Sequence, residues 1–304
     1  MNILAAYSHS MYIFKKNLPV IAITVFLLLF WFSAAAQQKV TTPFVQEDWK
    51  KNYEPFRIAG NLYYVGTYDL ASYLITTPQG HILINTGLAE SAQMIKSHVE
   101  ALGFKFSDIK ILLATHAHYD HVAAMAEIKK ITGAKMMINE KDATVLADGG
   151  NSDFIFGGHG STFEPVKPDK LLHDKDTIQL GSQQVVLLAH PGHTKGASSF
   201  LFDVKDDQQT YRVLIANMPT ILDQTKLSGM PAYPNVGKDY GYTLDAMKNI
   251  KFDIWLASHA SQFELHQKRK AGDSYNPKVF IDQKGYDASI NTLHEAYLKK
   301  LTAK

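Results

Sequence analysis

Apolar residues along this chain come in runs of three to six, separated by turn residues or by stretches of helical period. Arg57-Ile58-Ala59 and Leu62-Tyr63-Tyr64-Val65 predict short strands. Ala71–Ile75 and His81–Ile84 predict two more, joined by the turn signal Pro78-Gln79-Gly80. A helical stretch over Ala89–Leu102 then closes on Gly103, a residue suited to a helix C-terminus. The apolar run Ile109–Ala114 predicts a buried strand, Val122–Lys130 a helix, Ala134–Ile138 a strand, and the region near Glu140–Leu146 another helix. The second half repeats this scheme, with strands at Thr177–Leu180, Val185–Ala189, Ser198–Phe202 and Arg212–Ala216. A helix over Thr243–Ile250, a strand over Phe252–Ala257 and a largely helical segment from Pro277 to Leu301 complete it. Meander strands followed by strand–helix alternation, occurring twice, predict an α/β protein built as an αββα sandwich. Two mixed β-sheets would pack face to face and be flanked by helices.

One apolar run breaks the pattern. Leu18–Phe32 is uninterrupted, preceded by Lys15-Lys16 and followed by Ser33-Ala34-Ala35-Ala36, with alanine at positions −3 and −1 of a cut after Ala36. That arrangement describes a secretory signal peptide over residues 1–36. It is shorter than the roughly 18 to 20 apolar residues a membrane-spanning helix needs. Residues 37–304 are then expected to form a single domain delivered to the periplasm, with no membrane attachment after cleavage. Losing Lys15 and Lys16 would take the formal charge from +2 to zero. Such a balance lacks the single-sign field of a nucleic-acid binder. The chain contains no cysteine, which excludes thiolate metal sites, thiol nucleophiles and lipid attachment through an N-terminal Cys. No obligatory protein partner is indicated.

The chemistry concentrates in Thr115-His116-Ala117-His118-Tyr119-Asp120-His121, directly behind the Ile109–Ala114 strand. Imidazoles and a carboxylate crowded onto a strand-to-helix corner are metal ligands by type, and zinc suits them. Two further histidines, His193 in His190-Pro191-Gly192-His193-Thr194 and His259 in Ser258-His259, also follow predicted strands. Strand ends on one rim of a sheet are where α/β proteins assemble sites. Because His193 follows Pro-Gly, where backbone can approach a metal, His190 is read as a structural histidine or one that supports a ligand. The stretch Gly149–Gly160, rich in glycine and aromatic residues, is a candidate binding loop.

The ordered set His116-x-His118-x-Asp120-His121, Pro191-Gly192-His193-Thr194 and Ser258-His259 resembles that of the metallo-β-lactamase superfamily. The chain looks most like the GOB-type branch of its subclass B3. Further residues that carry this are Ser152-Asp153-Phe154, His193-Thr194-Lys195-Gly196, Leu214–Pro219, Tyr233-Pro234-Asn235 and Ala257–Gln262. The resemblance implies the metallo-β-lactamase fold and two Zn2+ per chain. His116, His118 and His193 would hold the first zinc; Asp120, His121 and His259 would hold the second. It implies hydrolysis of the β-lactam amide bond of penicillins, cephalosporins and carbapenems by a metal-bound hydroxide that Asp120 orients, and hence antibiotic resistance. Thr220 is the candidate for the substrate carboxylate, by its position relative to the family's serines. Ligand sets that place a Cys on the second zinc are impossible here, and Met218 stands in the corresponding segment. Asn85, in Ile84-Asn85-Thr86-Gly87, departs from the superfamily's usual Asp. The alternative is another dinuclear zinc hydrolase of the superfamily, a glyoxalase II-like thioesterase or a lactonase. Those enzymes draw a bridging Asp from the strand that reads Val213–Met218 here, and no carboxylate lies in that segment.

Overall fold

The computed structural model describes residues 40–207 and 209–302. The expected signal peptide lies outside these residues. Among them, no helix is long and apolar enough to cross a membrane.

Among the described residues twelve strands form two sheets, as the alternation of apolar runs implies. The first sheet has seven strands in sequential order: β1 (Phe56–Ala59), β2 (Leu62–Tyr64), β3 (Tyr73–Thr77), β4 (Gly80–Ile84), β5 (Ile109–Leu113), β6 (Lys135–Asn139) and β7 (Lys170–Leu172). Strands β1 to β4 pair antiparallel, and β4 to β7 pair parallel. The second sheet comprises β8 (Thr177–Leu180), β9 (Gln183–Ala189), β10 (Ser198–Lys205), β11 (Thr210–Ala216) and β12 (Ile254–Ala257), in the order β12-β11-β10-β9-β8. Only the β11–β12 pair is parallel there. Both sheets are therefore mixed.

Alternation along β4 and β5 divides the core into layers. Ile82, Ile84, Ile111 and Leu113 face the second sheet and join Val185, Leu187, Phe200, Phe202 and Ile215 in one cluster. Their neighbours Leu83 and Leu112 face the other way, with Ile95, Val99 and Ile128 from the covering helices. Strands buried on both faces read as continuous apolar runs, which is why these two were plain in the sequence. Each such side chain contributes roughly 1.5–3 kcal/mol by leaving water.

The helices are α1 (Glu47–Lys50), α2 (Ser91–Ala101), α3 (Tyr119–Val122), α4 (Met125–Thr132), α5 (Ala143–Ala147), α6 (Val236–Met247), α7 (Leu265–Lys268) and α8 (Gln283–Thr302). The helix expected over Val122–Lys130 is in fact two. The chain turns at Ala123–Ala124, where the Ala123 N–H donates to Gly87 O at 3.1 Å as well as to Tyr119 O at 3.2 Å. Asp120 and His121 consequently sit on a short first helix. The helix expected over Thr243–Ile250 begins earlier, at Val236. Gly237 and Gly241 obscure its start, because glycine is a poor helix former. Gly237 has a packing reason: a Cβ there would run into the Leu227 carbonyl. Strand β7 and helix α1, both very short, were not anticipated.

The directions of the strands place the ends of β4, β5, β9, β11 and β12 on one rim of the sandwich. Backbone and hydroxyl contacts close the two sheets there: Ser198 N–H donates to Thr115 O at 2.8 Å, and Ser258 Oγ lies 3.1 Å from Thr115 Oγ1.

Candidate metal centre

The histidines of the predicted set gather on that rim. His116 and His118 follow β5, and Asp120 and His121 lie in α3. His193 follows β9, and His259 follows β12. Donor atoms of His116, His118 and His193 lie within 4.8 Å of one another, and so do those of His116, Asp120 and His121. His259 completes the second group: its Nε2 is 3.4 Å from Asp120 Oδ2, and its ring centroid is 5.0 Å from that of His121. His116, His118, Asp120, His121 and His193 are all buried. His116 Nε2 has no protein partner although it is buried, as expected of an atom placed to bind a cation.

Supporting contacts fix which nitrogen of each ring faces the cluster. His193 Nδ1 lies 2.8 Å from Thr220 O and donates to it, leaving Nε2 for a metal. His259 Nδ1 is 3.0 Å from Asp69 Oδ2, and Asp69 is in turn held by Trp49 Nε1 at 3.1 Å and the Ser261 N–H at 2.9 Å. His118 Nε2 is 3.3 Å from Asp153 Oδ2, so Nδ1 is its metal-facing nitrogen. Gly192, at φ +138°, brings the backbone under His193, and a Cβ there would press on the Tyr240 ring at 2.9 Å. Gly192 before His193 therefore makes room for the Tyr240 ring, a packing reason that differs from the close approach to a metal expected from the sequence.

Electrostatics suit cation binding. Burial, reinforced by the surrounding imidazoles, pushes His116 well below the usual histidine range and His193 to about 3. Both are neutral, the form that ligates metals. Burial also opposes ionisation of Asp120, yet His121 and His259 outweigh it and hold the carboxylate well below its usual range. His259 is the exception: bonds to Asp120 and Asp69 overcome burial and raise it to about 9, so it must release a proton to ligate a metal. This set, five imidazoles from three strand ends around one carboxylate and without sulfur, fits zinc.

The centre opens into a cavity of about 390 Å³ whose walls include Phe44, Trp49, Tyr119, Phe156, Thr220 and Gln262. Among the described residues, no lysine or arginine lines it. The Gly149–Gly160 loop supplies both Asp153 and Phe156, whose ring packs 5.1 Å from that of His118. Thr220 lies on the wall with its Oγ1 3.3 Å from His193 Nδ1. Met218 is buried at the same wall and offers no carboxylate.

His190 is elsewhere: its Nδ1 bonds Ser199 Oγ at 2.7 Å, and burial lowers it to about 4. His190→Ala is therefore expected to keep two metals per chain, measured by elemental analysis; loss of one would show that the wrong histidine was set aside. Asp69→Asn, by contrast, weakens the acceptor behind His259. A fall in affinity for one metal of about 10–100-fold is expected from a chelator titration. An unaltered titration would remove Asp69 from the account.

Sequence reasoning did not find Asp69 or the role of Asp153, nor the aromatic pair Phe44 and Trp49. Of these only Asp153 had a signal in the sequence, in the unusual Gly149–Gly160 loop and the Ser152-Asp153-Phe154 motif.

A four-layer αββα sandwich with one all-histidine and one histidine–carboxylate donor set on one sheet rim defines a metal-binding protein of the dinuclear type. Residues 67–206 match the family model described as the metallo-beta-lactamase superfamily. Solved structures agree over nearly the whole chain. A beta-lactamase from Chitinophaga pinensis is 62% identical, with a TM-score of 0.86 over 87% of this chain and 100% of that one. The class B3 di-zinc metallo-beta-lactamase LRA-12 from an Alaskan soil metagenome is 66% identical, with a TM-score of 0.85 over 86% of this chain and 100% of that one. GOB-18 from Elizabethkingia meningoseptica is 55% identical, with a TM-score of 0.86 over 88% and 99%. Among curated relatives, a hydroxyacylglutathione hydrolase from Bradyrhizobium is 26% identical over 78% of this chain and 88% of its own length. The chain belongs to the metallo-β-lactamase superfamily, in its subclass B3 branch.

Proposed function

We propose that this chain is a zinc-dependent β-lactamase that opens the β-lactam amide by hydrolysis and so confers antibiotic resistance. His116, His118 and His193 would hold one zinc, and Asp120, His121 and His259 the other. Bound there, the two ions would supply Lewis acidity, lowering the pKa of water toward neutrality and polarising the lactam carbonyl.

The protein's own groups do the rest. Asp120 orients the attacking water by accepting its hydrogen bond at the cavity floor. Trp49, Tyr119 and Phe156 pack the apolar substituent of the substrate and exclude bulk water. Thr220 is the proposed hydroxyl donor to the substrate carboxylate, which no cationic side chain on this wall can meet. The predicted leader over residues 1–36 would be removed on export, leaving residues 37–304 as one catalytic domain in the periplasm. That location suits interception of antibiotics before they reach the cell-wall enzymes.

The observation that carries this reading is the convergence of both donor sets on one cavity, in a chain 55–66% identical to lactamases. A thioesterase reading has the hydroxyacylglutathione hydrolases in its favour, at 24–26% identity over 71–78% of this chain and 27–31% over shorter stretches. Against it, the end of β11 presents Asn217 and Met218, and Asp223, the nearest carboxylate, is exposed. Turnover of a carbapenem and of a glutathione thioester by the same preparation separates the two. The lactam is expected to be the substrate; thioester hydrolysis with the carbapenem left intact would overturn the proposal.

A further inference from the structure

Four of the five histidines in the donor sets have an oxygen within 3.3 Å of the nitrogen turned away from the cluster. His193 has Thr220 O, His259 has Asp69, His118 has Asp153, and His116 Nδ1 has Thr115 Oγ1 at 3.3 Å. His121 differs. Its Nε2 faces Asp120 Oδ2 at 3.2 Å, and its Nδ1 meets the Asn85 side-chain amide, with Nδ2 at 3.4 Å.

A count of acceptors shows why this matters. Asn85 is fully buried, and two donors converge on it: the Thr115 backbone N–H, 2.9 Å from Oδ1, and the Nδ1–H that His121 must carry when Nε2 binds a metal. An asparagine has one acceptor oxygen. With Oδ1 on Thr115, the Nδ2 amide faces His121 Nδ1 and also reaches Thr115 Oγ1 at 3.1 Å. Turning the amide over would satisfy His121 but place NH2 against the buried Thr115 N–H at 2.9 Å. Either orientation sets a donor against a donor once His121 is a ligand. The alternative tautomer removes the conflict: Nδ1 accepts from Asn85 while Nε2–H donates to Asp120.

We propose that Asn85 makes His121 the weak donor of its set. It favours the tautomer that protonates Nε2, the nitrogen that must be bare to bind metal. The Asp120/His121/His259 site therefore holds its ion less tightly than the His116/His118/His193 site, and an aspartate at position 85 strengthens it. The inference rests on the ligand sets proposed above. Aspartate suits the position: its two oxygens serve both donors, and it tolerates the left-handed backbone found there, φ +59°.

The test is a zinc titration against a chromogenic chelator for the parent and Asn85→Asp, with cobalt(II) absorption to tell the sites apart. The expected result is two dissociation constants in the parent, the weaker falling about 10–100-fold in the variant while the tighter stays unchanged. Two zincs bound with identical constants in both proteins would overturn this inference alone. A parent that binds no zinc at either set would overturn the functional reading and this one with it. A readout independent of the variant is the imidazole 15N spectrum of the zinc-free parent. His121 is expected to carry its proton on Nε2, and a proton found on Nδ1 overturns the proposal even if Asn85→Asp does not fold.

Discussion

Asp120→Asn is expected to lower kcat/KM for a carbapenem by about 10²–10⁴-fold while leaving the circular dichroism spectrum and thermal midpoint near those of the parent. The shape of the side chain survives the change, so packing in α3 is preserved. What is lost is the negative charge that His121 and His259 surround at 3.2 and 3.4 Å. The amide is a weaker metal ligand and a poorer acceptor for the attacking water, so binding and chemistry suffer together. Near-parent turnover in Asp120→Asn would remove this residue from the reaction.

The second large effect belongs to a residue that touches neither substrate nor metal donor. Asp142 is buried at the start of α5 and accepts three hydrogen bonds: from Thr194 Oγ1 at 2.7 Å, the Gly196 N–H at 2.7 Å and the Ala117 N–H at 3.0 Å. Ala117 separates His116 from His118, and Thr194 follows His193, so one carboxylate clamps both loops of the first donor set. Gly196 leaves room for it, since a Cβ there would meet Asp142 within 2.6–2.8 Å. Burial raises this carboxyl against the pull of those three donors. Asp142→Ala strands two buried N–H groups and a hydroxyl, each costing about 1–3 kcal/mol if left unpaired. A total loss of about 3–5 kcal/mol is expected, or a fall in Tm of about 10 °C or more. Zinc affinity at the first set should fall with it. A Tm within a degree or two of the parent would show that the clamp is dispensable.

These two residues also mark where the sequence was legible and where it was not. Asp120 was readable because His116, His118 and His121 lie in the same seven residues and most of the chemistry is local. The layered sandwich was readable for a similar reason. Ile82-Leu83-Ile84 and Ile111-Leu112-Leu113 announce strands buried on both faces, and the site residues cluster just after such strands. Contacts across the fold carry no such signal. Asp69 lies 190 positions from His259, and Asp142 lies 52 from Thr194. Asp142 in particular is one charged residue in a polar helix start, indistinguishable in sequence from a solvated one. The break at Ala123–Ala124 was hidden for another reason: alanine favours helix, and only the tertiary bond to Gly87 O interrupts it. Asn85 was visible as a departure from the superfamily's pattern. Its consequence needed the geometry, because only the fold shows which donors converge on its single oxygen.

A dinuclear zinc centre that hydrolyses β-lactams is tested most directly by assaying the purified chain on a carbapenem and a cephalosporin, with and without EDTA, while measuring zinc per chain. Turnover at close to two zincs per chain is expected, abolished by EDTA and restored by zinc. Two bound zincs with both lactams left intact would contradict it.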